Sequence, residues 1–338
     1  MKKTILITGI TGMVGSHLAD YIIENTEWNI VGLIRWRSSL ENIAHLIHTV
    51  NNEGRVKLEY GDLNDPISLE KVVKKNRPEI IFHLAAQSYP KTSFDAPLDT
   101  LNTNIQGTLC LLEAAKNHAK DAIIHVCASS EIFGRVTPDK LPITEDCTFH
   151  PASPYAISKV GTDLIGRFYA EAYGLKVITT RMFTHTGPRR GDVFAESSFA
   201  KQIALIEAGY VPPTIYVGNL QSLRTIADVR DAVRAYYLLV TCNPIAGQYY
   251  NIGGDFSIEI GGILEFLIKS STKQAQISVE VSENRLRPID ADLQVPDTTK
   301  FREHTGWKPE IPFETTMIDL LDYWRDKVAA HGNSFLNR

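Results

Sequence analysis

Two short segments carry side chains that can do proton chemistry together: Ser129-Ser130-Glu131 and Tyr155-Ala-Ile-Ser-Lys159. A tyrosine and a lysine four residues apart share one face if the segment is helical. An ammonium beside a phenol draws its pKa toward neutrality, so Tyr155 is expected to exchange a proton at working pH, with Lys159 as its partner. The Ser129 hydroxyl is placed to hydrogen-bond a reacting oxygen. Glu131 adds a second base, which simple alcohol oxidation does not require. The same spacing also arises in an ordinary amphipathic helix with an exposed lysine, so the elements around it decide the matter.

At the N-terminus, Thr4-Ile-Leu-Ile-Thr8 reads as a buried strand, and Ser16-His-Leu-Ala-Asp-Tyr-Ile-Ile has helical apolar spacing. Between them lies Gly9-Ile-Thr-Gly12-Met-Val-Gly15. Strand, glycine turn and helix together form a dinucleotide-binding context, with spacing GxxGxxG in place of GxGxxG. The glycines allow close approach to a pyrophosphate, and the helix N-terminus receives its charge. Gly9, Thr11, Gly12, Met13, Val14 and Gly15 are therefore candidate cofactor residues. The next strand, Asn29–Ile34, ends in Arg35-Trp-Arg37-Ser38-Ser39 where an acidic residue would mark a bare ribose. Two guanidiniums and two hydroxyls suit a 2′-phosphate, so the cofactor is expected to be NADP.

Strand and helix patterns alternate from there. Strands are expected at 55–60, 79–84 and 122–127, and helices over 67–76 and through 104–115. Such alternation predicts an α/β fold with a Rossmann-type doubly wound parallel sheet, its ligands at the carboxyl ends of the strands. Asp62-Leu63, Leu84-Ala85-Ala86 with Ser88, and Ser129 each follow a strand. A smaller C-terminal α/β lobe should hold the substrate, giving an NADP-binding domain over 1–180 and a substrate lobe over 181–330 from which some strands return.

The 338 residues are 43% hydrophobic, enough for such a core, and carry a net charge of −4, which disfavours a nucleic-acid surface. No apolar run reaches membrane-spanning length, and Met-Lys-Lys-Thr leads into a strand, not a signal peptide. The four cysteines form no CxxC and no metal-like cluster. A cytoplasmic enzyme without metal or membrane partner fits.

With these segments in view, the chain resembles the extended short-chain dehydrogenase/reductases acting on nucleotide sugars. It is most similar to the GDP-mannose 4,6-dehydratases and the related GDP-4-keto-6-deoxymannose reductases. The likeness spans the chain through Arg35-Trp-Arg-Ser-Ser39, His83-Leu-Ala-Ala-Gln-Ser88, Ser153-Pro-Tyr-Ala-Ile-Ser-Lys159, Gly187-Pro-Arg-Arg-Gly191, Val217-Gly-Asn-Leu-Gln-Ser-Leu-Arg224, Arg287-Pro288 and Gly306-Trp-Lys-Pro309.

The resemblance implies a GDP-sugar substrate, mannose or a relative such as manno-heptose. Tyr155 takes the 4-hydroxyl proton, Glu131 the carbon-5 proton, and Lys159 binds nicotinamide ribose. Ser129 stands where dehydratases carry threonine. It also implies that Arg190 meets the cofactor, that Ser88, Ser130, Glu131 and Thr184 meet the substrate, and that Lys201 and the stretch from Pro212 to Val217 line the base. Arg224 and Arg287 are pyrophosphate clamps by the chemistry of guanidinium. Asp290 replaces a glutamate, and His185 stays unassigned. Related enzymes dimerise through a four-helix bundle, here the Tyr155 helix and the helix through Ile105 to Ala115. Arg35 to Ser39 with Arg189-Arg190 would support a tetramer.

Two departures point toward the reductases: Thr184-His-Thr-Gly187, and Ala195-Glu-Ser-Ser198 after Phe194. A reductase or epimerase is thus the alternative reading. A binding protein without turnover is disfavoured by the intact Ser/Tyr/Lys set and Glu131.

Overall fold

The computed structural model describes residues 2–46, 48, 50 and 54–332. Strands β1 (Thr4–Thr8), β2 (Asn29–Ile34), β3 (Val56–Tyr60), β4 (Ile80–His83), β5 (Ile123–Cys127) and β6 (Lys176–Met182) join Tyr249–Ile252 in one seven-stranded sheet. Its order is Tyr249–Ile252, β6, β5, β4, β1, β2, β3, and every pair is parallel. Helices α1 (Met13–Asn25), α2 (Pro66–Asn76), α3 (Gly107–His118) and α4 (Pro154–Tyr173) cross over its faces. Alternate residues of β1 face opposite layers. Ile5 and Ile7 pack with α1 and with helix Val229–Thr241, whereas Leu6 packs with α2, α3 and α4. This is a doubly wound sheet of the Rossmann type. Its order reverses between β1 and β4, so a crevice opens at their carboxyl ends.

A separate apolar cluster gathers helices Ala195–Glu207, Ile260–Lys269 and Phe313–His331 around strand Thr214–Val217. Among the described residues no helix is long and apolar enough to cross a membrane.

The helix expected through 104–115 is not one α-helix. It runs as Pro97–Leu101, a π-helical stretch Asn102–Gln106, and α3, with the Gly107 N–H donating to the Asn102 carbonyl. The cause lies in side-chain demand. Asn104, 2% exposed, accepts from the Gln87 N–H at 2.8 Å and donates to the Gln87 carbonyl at 2.9 Å and to Ser158 Oγ at 2.8 Å. A widened turn lets it serve the strand-end loop and α4 together.

Two buried histidines stand on neighbouring strands. Thr108 Oγ1 donates to the Asn104 carbonyl at 2.6 Å, so it accepts from His83 Nε2 at 3.0 Å. His83 Nδ1 then accepts from Thr8 Oγ1 at 3.0 Å, and Thr8 Oγ1 in turn accepts from the Leu84 and Ala85 N–H groups. Only a neutral imidazole both donates and accepts. Burial accordingly pushes His83 down to about 3, and His125 on β5 likewise to about 3. On β6, buried Arg181 forms a paired bond to Asp163 of α4, at 2.8 and 3.1 Å, which fixes α4 against the sheet.

These histidines predict an acid-sensitive fold. Their folded pKa values lie below the ordinary 6.5, so the unfolded chain binds protons first as pH falls. Stability should be flat above pH ~7 and fall from about 6.5 downward, by roughly 1.4 kcal/mol per pH unit for each ring. Urea midpoints measured across that range check this; a midpoint constant down to pH ~5 would contradict it.

Candidate active site

The glycine turn is built so that no side chain fits inside it. Gly9 has φ +75°, and a Cβ there would lie 3.0 Å from the Ala85 backbone. A Cβ on Gly15 would lie 2.2 Å from the Gly9 carbonyl oxygen. Gly12 caps α1 without any side-chain hydrogen bond, so the helix N-terminus faces the crevice with its first amides uncapped by a side chain. Asn42 braces the turn by donating to the Thr11 carbonyl at 3.0 Å. Met13 is buried and Val14 packs against the core.

Past β2, Arg35 and Arg37 are exposed and Ser38 is half-exposed. Arg37 stacks 4.5 Å over the exposed Trp36 ring, and Ser38 Oγ accepts from the Arg35 N–H at 3.2 Å. Among the described residues neither guanidinium is in an ion pair. An uncapped helix end, a turn closed to a Cβ at Gly9 and Gly15, and two unpaired cations fit a dinucleotide that carries a 2′-phosphate. Asp62 follows β3, its carboxylate accepting from the Asn64 N–H at 2.9 Å. Leu63 is packed under Gly107. Leu84, Ala85 and Ala86 follow β4 and are half-buried.

Catalytic candidates meet at the ends of β5 and α4. Ser153 caps α4, its Oγ accepting from the Ala156 N–H at 3.0 Å, and Pro154 occupies the first turn. Tyr155 is thereby held at the helix start, where the Ser129 hydroxyl works to lower its pKa. Ser129 Oγ also accepts from the Glu131 N–H at 3.2 Å, which sets the short 3-10 turn that carries Glu131.

One expectation needs correction. Lys159 does not draw the Tyr155 phenol down. Its ammonium donates to the Cys127 carbonyl at 2.7 Å and lies 6.0 Å from the phenol ring centroid. Burial dominates instead. It raises Tyr155, against which the Ser129 hydrogen bond and the Arg190 charge work, and it lowers Lys159. The protein alone keeps this tyrosine protonated.

One cleft is lined by Ser88, Ser129, Ser130, Glu131, Tyr155, Thr184, His185, Arg190, Arg224, Arg287 and Asp290, so most of the sequence candidates converge. Lys159 stands behind it, on the Cys127 carbonyl, and two of the substrate candidates do not reach it. Val217 is fully buried in the apolar cluster around Thr214–Val217, and Lys201 is held by Asp192 at 2.7 Å. Strand alternation buries the first, and an ion pair draws the second aside. Arg190 lines this cleft together with Ser129 and Tyr155. Its guanidinium stacks 3.4 Å from the Phe194 ring centroid and donates to Glu196 at 3.2 Å. His185 Nδ1 donates to the Phe183 carbonyl at 3.0 Å, and burial with the Arg190 charge pushes the ring down to about 4, so it is neutral.

Sequence reasoning missed Tyr89, Lys91, Phe194, Asn219 and Arg285, all on the cleft. Arg285 ends the 3-10 turn Glu283–Arg285, two residues before Arg287, and that proximity in sequence was the available signal. Its guanidinium donates to Ser198 Oγ at 2.9 Å. Asn219 donates to Asp290 at 3.1 Å, and Arg287 lies 3.7 Å from the same carboxylate.

A nucleotide-cofactor turn, a Ser/Tyr/Lys set and an arginine-rich cleft on one Rossmann sheet define a short-chain dehydrogenase/reductase. Residues 6–320 match the family model described as GDP-mannose 4,6 dehydratase. GDP-mannose 4,6 dehydratase 1 of Arabidopsis thaliana is 33% identical over 95% of this chain and 89% of its own length. GDP-6-deoxy-D-mannose reductase of Pseudomonas aeruginosa is 29% identical over 97% and 99%. The solved structure of RMD from Pseudomonas aeruginosa complexed with NADPH superposes with a TM-score of 0.80 at 28% identity, covering 97% of this chain and 100% of that one. The chain belongs to the GDP-mannose 4,6 dehydratase family.

The unpaired guanidiniums make the dinucleotide preference testable. A charged hydrogen bond to phosphate is worth about 1.5–3 kcal/mol. Replacing both Arg35 and Arg37 by alanine should weaken NADPH by tenfold or more in a fluorescence titration and leave NADH within about threefold. Equal losses for the two would remove the 2′-phosphate from the account.

Proposed function

We propose that this protein is an NADP-dependent 4,6-dehydratase of a GDP-sugar, GDP-mannose or a relative such as GDP-manno-heptose, and that residues 1–180 hold the cofactor while 181–330 mainly hold the nucleotide sugar. The observation that carries the reading is the composition of the cleft. Glu131 stands in it beside Ser129 and Tyr155, so two proton-transfer groups face one ligand. Around the same cleft five cations, Lys91, Arg190, Arg224, Arg285 and Arg287, outnumber the carboxylates Glu131, Glu196 and Asp290 by two. A sugar diphosphate ester brings two negative charges, which balances the site.

Gly9, Gly12 and Gly15 with Arg35 and Arg37 would hold NADP, which would supply a hydride acceptor and donor and a positive charge opposing the burial effect on the phenol. The protein's own groups manage protons. Tyr155 takes the proton of the sugar 4-hydroxyl, and Ser129 holds both the phenol and the substrate oxygen. Once carbon 4 is a ketone, the carbon-5 hydrogen is acidic, and Glu131 removes it. Glu131 then returns a proton to the departing 6-hydroxyl, which leaves as water, and the proton that Tyr155 took is given back at carbon 5 as carbon 6 is reduced, so the protein ends with its protons where they began. Lys159, tied to the Cys127 carbonyl, positions the ribose and stays clear of the reacting oxygen. Arg224 and Arg287 clamp the diphosphate through paired donors.

The alternative, reduction of a 4-keto-6-deoxy sugar, draws on Thr184 and His185 in the cleft and on the reductase relative. Glu131→Gln separates the two. Loss of a positioned base costs about 10²–10⁴-fold, so a dehydratase should bind GDP-mannose but release no water by mass spectrometry. Turnover within a few-fold of the parent protein would favour the reductase.

We further read the protein as a cytoplasmic homodimer. On α4, Ile157, Leu164 and Phe168 are exposed by 50, 46 and 52%, and Leu109 on α3 by 39%. Helical spacing puts the three α4 residues on one apolar face. Leu164→Arg with Phe168→Asp should convert a dimer to a monomer in light scattering. A parent protein that is already monomeric at micromolar concentration would refute this.

A further inference from the structure

The segment that carries Arg190 into the cleft is tied to the cofactor-turn helix by contacts that neither lobe's chemistry requires. Arg189 Nη1 donates to Asp20 Oδ2 of α1 at 2.7 Å, and both side chains are about four-fifths buried, with exposures of 20 and 21%. The other oxygen of Asp20 accepts from His45 Nε2 at 2.6 Å, so the carboxylate is engaged from both sides. One residue before Arg189, His17 Nε2 donates to the Pro188 carbonyl at 3.1 Å, again from α1.

Arg189 itself has φ +68°. A long side chain rarely takes that conformation, and such a residue persists only where its surroundings hold it. The backbone then closes a turn, with the Arg190 N–H donating to the Gly187 carbonyl at 3.2 Å. From this turn the Arg190 guanidinium reaches Phe194 and Glu196. On the far side the Arg190 carbonyl accepts from Ser197 Oγ at 2.8 Å. The chain is therefore pinned after Arg190 by Ser197 and before it by Asp20 and His17. If the Asp20 anchor is lost, residue 189 can relax to negative φ, and the direction in which residue 190 leaves the turn changes.

We propose that Asp20 and Arg189 are a positioning pair for Arg190, so that a carboxylate on the cofactor-turn helix, remote from the reacting atoms, sets ligand affinity in the cleft. The inference rests on the proposed function only for the choice of ligands, NADPH and GDP-mannose. Calorimetric titration of the full chain with each ligand tests it, alongside thermal midpoints. Arg190→Ala fixes the pattern of loss for the two ligands. Asp20→Ala should reproduce that pattern, with about a tenfold loss for the more affected ligand, and Asp20→Glu should recover most of it. The Asp20→Ala/Arg190→Ala double variant should be no weaker than Arg190→Ala alone, because Asp20 acts through Arg190. Arg189→Ala removes the same pair from the other side and should match Asp20→Ala, which keeps the test decisive if one variant folds poorly. Parent-like affinity in Asp20→Ala and Arg189→Ala, or losses that multiply in the double variant, overturns the inference while leaving the proposed function standing. A parent protein that binds neither ligand overturns the function and the inference together.

Discussion

The side chain of Asn104 is the interaction on which the site depends. It is one buried amide with three partners on two elements: the N–H and carbonyl of Gln87 after β4, and the Ser158 hydroxyl inside α4. Its backbone carbonyl accepts from Thr108 and from Thr162 of α4 as well. An amide buried without these partners would cost more than any one bond returns, so the elements that meet there must meet in one register. The π-helical stretch is the backbone adjustment that makes this possible. Gln87 in turn fixes Tyr89 through bonds to its N–H and carbonyl at 2.7 and 3.1 Å, which carries the order to the rim of the cleft.

From that node the rest follows in layers. The His83 chain joins Thr8 at the end of β1 to Thr108 on α3, and the Thr8 hydroxyl holds the Leu84 and Ala85 amides against which Gly9 must pass without a side chain. The cofactor turn and the catalytic helix are thus parts of one buried polar network. Its neutral His83 is a member that protonation at low pH opposes. Arg181 and Asp163 add a second fixed point, one turn beyond Lys159 on α4. A buried pair of this kind is weak evidence for net stability, but removal of either partner would leave an uncompensated charge.

Charge is arranged with similar economy. Around Tyr155 the protein alone supplies burial and a serine hydroxyl, and it spends the Lys159 ammonium on a backbone carbonyl. The Ser129 hydroxyl and the Arg190 charge oppose the burial effect on the phenol without overcoming it. In the cleft the cations are oriented before any ligand enters: Arg190 on Phe194, Arg285 on Ser198, and Arg224 on the Leu223 and Ala291 carbonyls. Preorientation of this kind lowers the entropy lost on binding.

The sequence by itself determined the parallel sheet, the glycine turn, the Ser129/Glu131 and Tyr155/Lys159 segments, and the arginines at 35, 37, 224 and 287, because each is written in local spacing. Apolar runs, glycine positions and i,i+4 pairs act over a few residues, and their physics survives reading in one dimension. Long-range contacts decided the rest. Whether Lys159 would face the phenol or the Cys127 carbonyl depended on where β5 ends beside α4. Whether Lys201 would line the cleft depended on Asp192, and Val217 was buried by the helices packed around its strand. The break in the helix before α3 came from Asn104 meeting Gln87, 17 residues away, and Ser158, 54 residues away. Burial and hydrogen-bond partnership are properties of the assembled chain, so side-chain direction and proton affinity were settled only by the tertiary structure.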